Sequence, residues 1–122
     1  MLNRLTLSEL TARLARRACS AREATQACLD QIQRVDGQIH AFISCNTEDA
    51  LAQAAAADQA LAAGETHQQK PLLGVPVAIK DVIAVKGQPL NCGSKILGNF
   101  ISPYDATVVE KLKAAGAIVF GR

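Results

Sequence analysis

Aromatic side chains are scarce in this sequence: of 122 residues, none is tryptophan, one is tyrosine and three are phenylalanine. A core must therefore be built mainly from alanine, leucine, valine and isoleucine, whose burial removes a modest apolar area per residue from water. An excess of one charge is also missing, because 13 Lys and Arg against 11 Asp and Glu give a net charge of +2. This balance argues against a dedicated nucleic-acid-binding domain, whose basic residues cluster on one face.

Long apolar runs are absent as well. Gln53 and Asp58 interrupt the alanine-rich segment, so no stretch reaches the roughly eighteen apolar residues of a membrane-spanning helix. The N-terminal residues lead into Ser8 and Glu9 rather than into the apolar core of a signal peptide. We therefore expect a cytoplasmic protein. The 49% apolar content argues against disorder, and the length fits one modest domain.

The cysteines and histidines are not spaced along the sequence as the ligands of a metal site are. A disulfide framework or a zinc site would need closer and more regular spacing, so we expect no metal site and reduced, partly buried thiols. His40 and His67 lie in polar, loop-like surroundings without a neighbouring thiol or carboxylate. The thiols concerned are Cys19, Cys28, Cys45 and Cys92.

The first 69 residues predict helices. Two capping boxes, Thr6-x-x-Glu9 and Ser20-x-x-Glu23, indicate helix N-termini. Apolar residues then recur three and four positions apart, and we expect them to face the core. These residues are Leu7, Leu10, Leu14 and Ala18 in the first helix, and Ala24, Cys28, Ile32 and Val35 in the second.

Two glycines predict helix ends, since glycine readily adopts the left-handed conformation that follows many helices. We expect the second helix to stop at Gly37. A third helix from about Thr47 to Ala63 should stop at Gly64, and a short extended piece, Ala41–Ile43, should precede it.

From about residue 70 onward the pattern changes to strands and loops. The continuous apolar run Leu72–Ile79 predicts a strand covered on both faces, with Pro76 at its beginning or on an edge. A long loop over residues 86–104, with one helical turn near Ser94–Leu97, should lead to a helix. Asp105 is predicted to cap that helix, which extends to about Ala115 and buries Val108, Val109 and Leu112. A second buried strand, Ala117–Phe120, should follow, and the order of elements predicts the first strands of an unfinished α/β sheet covered by helices.

Lys80 is the residue that fits this pattern least, because it stands between the apolar runs Val75–Ile79 and Val82–Val85. Burial at a strand end favours the neutral amine of a lysine. A neutral amine can act as a general base or as a Schiff-base nucleophile. The alternatives are that Lys80 points outward or pairs with its neighbour Asp81.

The segment Gly74-Val75-Pro76-Val77-Ala78-Ile79-Lys80-Asp81 resembles the G-x-P-x-x-x-K-D segment of the amidase signature family. The segments Cys92–Leu97 and Ser102–Val109 are also similar to family segments, and the resemblance covers nearly the whole chain. Within the family, the similarity is greatest to the A subunits of tRNA-dependent amidotransferases. The resemblance implies amide hydrolysis by a Ser–cis-Ser–Lys triad, with Lys80 as the base and Gly74, Pro76 and Asp81 shaping its strand.

The same resemblance implies that residues 1–122 are the N-terminal portion of a single amidase-type domain. Residues 1–69 would be its mainly helical region, and residues 70–122 the first strands and helix of a mixed sheet. The family's Gly/Ser-rich segment with both serines lies beyond these residues, so we expect this chain alone to hydrolyse no amide. Ser94 has no Gly-x-Ser-x-Gly elbow around it, and we interpret it as a cap or loop residue.

The resemblance also implies substrates and partners. Glutamine would be hydrolysed to ammonia, which converts Glu-tRNA(Gln) to Gln-tRNA(Gln) within a heterotrimer. A partner subunit would use ATP and Mg²⁺, and this chain would bind no cofactor. Three alternatives stay open: an amidase acting on another small amide, a non-catalytic module that docks onto partner subunits, and a small complete enzyme using Lys80 alone.

Overall fold

Three helices form the first half of the chain in the computed structural model, which describes residues 1–122. The second half contributes two strands and a fourth helix, which confirms the predicted α/β class. The elements are α1 (Leu7–Ala15), α2 (Ala21–Ile39), α3 (Thr47–Ala62), β1 (Pro76–Ala78), α4 (Thr107–Ala114) and β2 (Ile118–Gly121). Short 3-10 turns occupy Leu2–Arg4 and Lys95–Leu97, the second where one helical turn was predicted. None of the helices combines the length and the apolar composition needed to cross a bilayer.

Both predicted capping boxes are present at the N-termini of α1 and α2. A residue of α3 also caps the N-terminus of α2. The Asp58 carboxylate accepts hydrogen bonds from the backbone N–H groups of Ala21, at 2.6 Å, and of Arg22, at 3.1 Å. A carboxylate at a helix N-terminus satisfies unpaired N–H groups and opposes the positive end of the helix dipole. Asp58 therefore fixes how α2 and α3 pack.

The prediction that Gly37 ends the second helix is wrong, since α2 continues to Ile39. Gly37 is exposed, and glycine within a helix costs only about 1 kcal/mol relative to alanine. The helix ends instead at His40, which adopts the left-handed conformation with φ 53°. The Asp36 carboxylate then accepts hydrogen bonds from the next two backbone N–H groups, at 2.7 and 3.3 Å.

The two strands are parallel, with Pro76 opposite Ile118 and Val77 opposite Val119. The predicted strand Leu72–Ile79 is thus shorter than expected, and Pro76 is its first residue as predicted. On the other side of β2, the backbone of Ile43 and Ser44 bonds to that of Arg122 at 2.7 and 2.9 Å. The predicted extended piece therefore covers this edge of β2, although it forms no strand of its own.

Helices cover both faces of the sheet, as the continuous apolar runs predicted. Successive strand residues point to opposite faces: Ile118 and Phe120 join the cluster beneath α1, α2 and α3. Val119 joins a smaller cluster with Ile79, Val85 and Val109 on the α4 side. All four residues of β2 are buried.

Several predicted core positions prove to be exposed. On α4, Val109 is fully buried whereas Val108 is 48% exposed, because adjacent helical residues face different directions. On α1, Leu10 and Leu14 are buried, but Leu7 at the first turn is exposed. Ala18 lies beyond the end of the helix and is also exposed. The buried faces of α1 and α4 therefore contain fewer residues than the sequence periodicity predicted.

Asp105 does not cap α4, which contradicts the prediction. The N-cap is Ala106, without a side-chain hydrogen bond. The Asp105 carboxylate instead accepts from Lys113 Nζ at 2.8 Å and from the Lys86 backbone at 2.7 Å. Asp105 thus links the long loop to the last turn of α4.

All four cysteines are unbridged, as predicted; three are partly buried, and Cys92 is exposed. Burial raises the pKa of the Cys28 and Cys45 thiols, which favours their protonated form.

Candidate functional site

The segment that carries Lys80 enters the sheet through a close contact with the helices. Gly74 has φ +80°, and a β-carbon there would lie 3.0 Å from the Ala21 β-carbon and 3.3 Å from Leu14 Cδ1. Only glycine combines this backbone conformation with so close an approach to α1 and α2. Gly74 thereby sets the position at which β1 begins.

Lys80 lies two residues beyond β1, at the carboxyl end of the strand. Functional groups of α/β proteins commonly occupy this end of parallel strands. The turn begins at Lys80, whose carbonyl accepts from the Ile83 backbone at 2.9 Å. Because the strand has already ended, the Lys80 side chain is exposed in this structure, contrary to the expectation of little surrounding water.

Asp81 pairs with Arg122 rather than with Lys80. Arg122 Nε lies 3.4 Å from Asp81 Oδ1, and the two residues are only 6% and 8% exposed. Arg122 Nη2 also donates to the backbone carbonyls of Asp81, at 3.1 Å, and of Ile83. The predicted alternative of a Lys80–Asp81 pair is therefore wrong, and the turn after β1 is tied to the end of β2.

The Asp81 carboxylate stays ionised in spite of its burial. Burial alone would raise the pKa of Asp81, but hydrogen bonds from the Asn91 backbone and from Arg122 outweigh it and lower the pKa below its ordinary value. Hydrogen bonds to the charged form and an adjacent opposite charge both act in this direction. The Asp81–Arg122 contact is thus an ion pair at neutral pH.

Three buried polar atoms around this pair have no hydrogen-bond partner: Asp81 Oδ2, Asn91 Oδ1 and Arg122 Nη1. Buried polar groups are nearly always hydrogen-bonded, so such a cluster is unusual. The site therefore combines a tightly held turn with unused donor and acceptor capacity.

No hydroxyl group of the chain bonds to Lys80. Ser102 is buried and donates its hydroxyl hydrogen to the Tyr104 carbonyl at 2.7 Å. Ser94 precedes the 3-10 turn Lys95–Leu97 at its cap position, but its side chain makes no capping hydrogen bond. No cluster of three His, Cys, Asp or Glu side chains is arranged to hold a metal ion.

Arg122 is the residue that the sequence interpretation missed. A signal was present, because Asp81 follows the first predicted strand closely and Arg122 follows the second. The carboxyl ends of neighbouring parallel strands share one edge of a sheet, so residues of opposite charge just beyond them can meet. The two charges lie 41 positions apart, too far for a local pattern to connect them.

Comparisons with known proteins agree with the motif. The profile of the Amidase family matches residues 23–122. The chain is 51% identical over 118 residues to the A subunit of glutamyl-tRNA(Gln) amidotransferase from Geobacter sulfurreducens, an alignment covering 97% of this chain and 24% of that protein. It is 50% identical over 121 residues to the protein of the same name from Methylococcus capsulatus, with coverages of 99% and 24%. The chain thus spans about a quarter of the length of these curated relatives.

The fold is shared with solved amidase structures. The native peptide amidase from Stenotrophomonas maltophilia superimposes with a TM-score of 0.89 at 32% identity, over 98% of this chain and 24% of that one. The four helices and the parallel strand pair therefore form the N-terminal part of this fold.

Proposed function

This chain belongs to the amidase family, and from that membership we propose that it supplies the catalytic lysine, Lys80, of an amide-hydrolysing enzyme. The greater identity to amidotransferase A subunits, 51% against 32% for the peptide amidase, favours glutamine as the amide. The released ammonia would convert Glu-tRNA(Gln) to Gln-tRNA(Gln) in the cytoplasm.

The observation that carries the proposal is the placement of Lys80. The Gly-x-Pro-x-x-x-Lys-Asp segment forms β1 and its following turn, and it leaves the Lys80 side chain at the carboxyl end of the strand without an ion pair. In the complete enzyme the Lys80 amine would take up the proton that a serine hydroxyl loses as its oxygen bonds to the amide carbon. The C–N bond would then break as the departing nitrogen takes that proton back from the lysine and leaves as ammonia. Water would then hydrolyse the remaining acyl–serine ester, which releases glutamate and restores the serine hydroxyl.

The serines of such a triad would come from residues outside this chain. In a triad that acts as a unit, loss of the nucleophile removes nearly all of the rate gain. We therefore propose that the 122 residues act only as part of an amidase-length polypeptide. The other amidotransferase subunits would be its partners. Activation of the glutamyl carboxylate with ATP and Mg²⁺ would take place on one of these partners, and the mischarged tRNA would be bound through the assembled complex.

The test compares lysine variants in the full-length protein that contains this segment. Lys80→Met should abolish ammonia release from glutamine, because no base remains to accept the serine proton. Lys111→Met is the matched control: this lysine is also exposed, but it lies on α4. Full glutaminase activity of Lys80→Met would refute the proposal.

A second substrate distinguishes the remaining alternative within the family. The same full-length protein is assayed with a C-terminal peptide amide alongside glutamine. Faster hydrolysis of the peptide amide would favour an amidase unrelated to tRNA, whereas a preference for glutamine supports the amidotransferase role.

A further inference from the structure

We infer that Arg122 is a positioning residue for Lys80, acting through the turn at Asp81; this inference rests on the proposed function. Arg122 follows β2 and Lys80 follows β1, so the two residues lie at the same end of adjacent parallel strands. No hydrogen bond or ion pair joins their side chains. The backbone of the turn provides the connection.

Three contacts from one guanidinium group hold this turn. Nε faces the Asp81 carboxylate at 3.4 Å, while Nη2 donates to the carbonyls of Asp81 and Ile83. Together with the hydrogen bond from Ile83 N to Lys80 O at 2.9 Å, they fix the backbone from residue 80 to residue 83. The planar, forked guanidinium can make all of these contacts at once, which an ammonium group cannot.

Stability alone is a weak explanation for this arrangement. Bringing a charged pair into a protein interior carries a desolvation cost that an apolar pair of similar size avoids. Here the cost is increased by the unpartnered Asp81 Oδ2 and Arg122 Nη1 atoms. The effect of the pair is to fix the conformation of the backbone immediately after Lys80.

The Lys80 side chain depends on that backbone conformation, since it is exposed and takes part in none of the ion pairs of the structure. A displacement of about 1 Å in a reacting group can lower a rate on the order of 100-fold. The turn keeps a second anchor without Arg122, because the Asn91 backbone donates to Asp81 Oδ1 at 3.2 Å. Loss of Arg122 should therefore shift the turn rather than unfold it.

The experiment uses the full-length protein with Arg122→Met and Arg122→Lys. We expect Arg122→Met to lower kcat for glutamine on the order of 100-fold while KM changes less than about twofold. Arg122→Lys should recover part of kcat, since an ammonium group can still pair with Asp81 and reach one carbonyl. Leu10→Ala is the control: Leu10 is buried on α1, in the cluster that contains neither Ile79 nor Val85. Its truncation disturbs the core away from the turn and should leave kcat of the folded enzyme unchanged.

Hydrogen exchange gives a readout that does not depend on activity. In Arg122→Met the backbone amide of Ile83 should exchange about tenfold faster or more, because the turn loses its charged hydrogen-bond donor. In Leu10→Ala its exchange should change less. Unchanged exchange at Ile83, or a kcat of Arg122→Met within twofold of wild type, would overturn the positioning role alone. A wild-type enzyme that hydrolyses no amide would overturn the proposed function and the role of Arg122 with it.

Discussion

The side-chain amide of Gln53 on α3 bonds to both backbone groups of Val119 in β2. Gln53 Nε2 donates to the Val119 carbonyl at 3.0 Å, and the Val119 N–H donates to Gln53 Oε1 at 3.0 Å. Val119 is fully buried, and these backbone groups lie on the side of β2 away from β1. One glutamine therefore supplies at this position the pair of hydrogen bonds that a neighbouring strand would supply.

Replacing Gln53 with alanine should lower the free energy of unfolding by about 1–3 kcal/mol, because two buried backbone groups lose their partner. The measurement is urea unfolding monitored by circular dichroism. Gln59→Ala is the matched control, since Gln59 is an exposed residue of the same helix. Equal stabilities of the two variants would show that water replaces the Gln53 amide at no cost.

Gly116→Ala should destabilise the protein more than Gly64→Ala does. Both glycines end a helix with positive φ, at +88° and +95°, so both variants meet a conformational cost of about 1–2 kcal/mol. Only at Gly116 would the new β-carbon lie 2.7 Å from the Leu73 Cα atom, whereas at Gly64 nothing lies within 4 Å. We expect a total loss of about 3 kcal/mol at Gly116, since backbone must also shift. Similar unfolding midpoints for the two variants would contradict the close contact with Leu73.

The Asp105–Lys113 pair should contribute stability at neutral pH and lose it in acid. Burial raises the pKa of Asp105, but the Lys113 ammonium and the Lys86 backbone hydrogen bond outweigh it, so the folded-state pKa lies below the ordinary value of 3.8. A lowered folded-state pKa gives stability that is present above the unfolded pKa and disappears as the pH falls through the folded one. The wild type should therefore be more stable than Asp105→Asn at pH 7, and the difference should shrink below about pH 4.

The measurement for Asp105 is the free energy of unfolding of both proteins at several pH values. A Lys113→Met background should reduce the difference at neutral pH, since the main partner of the carboxylate is gone. A difference that stays constant down to about pH 2 would contradict the ionised pair.

Local signals predicted the helix ends best. The capping boxes at Thr6 and Ser20 need only residues three positions apart, and Gly64 has no competing neighbour. The prediction that α2 ends at Gly37 was wrong because the end of this helix depends on Asp36, whose carboxylate accepts hydrogen bonds from the backbone after His40. The prediction that Asp105 caps α4 was wrong for a similar reason. Its partner, Lys113, is eight residues away and comes close only after α4 has formed.

The sequence correctly predicted that Lys80 follows a strand, but it was wrong about the surroundings of the side chain. The position of Lys80 follows from the strand-forming run before it, which is a local property. Its exposure depends on where β1 ends, and the sequence predicted too long a strand. The partner of Asp81 depends on the pairing of two strands distant in sequence, so no local pattern could identify Arg122 without the parallel register.

Coverage of β2 by earlier parts of the chain has a consequence for synthesis. The residues that bond to it come from the segment 43–45, from α3 and from β1, and the Gln53–Val119 contact joins positions 66 apart. Contacts between such distant residues slow folding. On the ribosome, the three N-terminal helices emerge with their apolar faces uncovered well before β2 is translated. Until then these faces are available to chaperones, and also to aggregation.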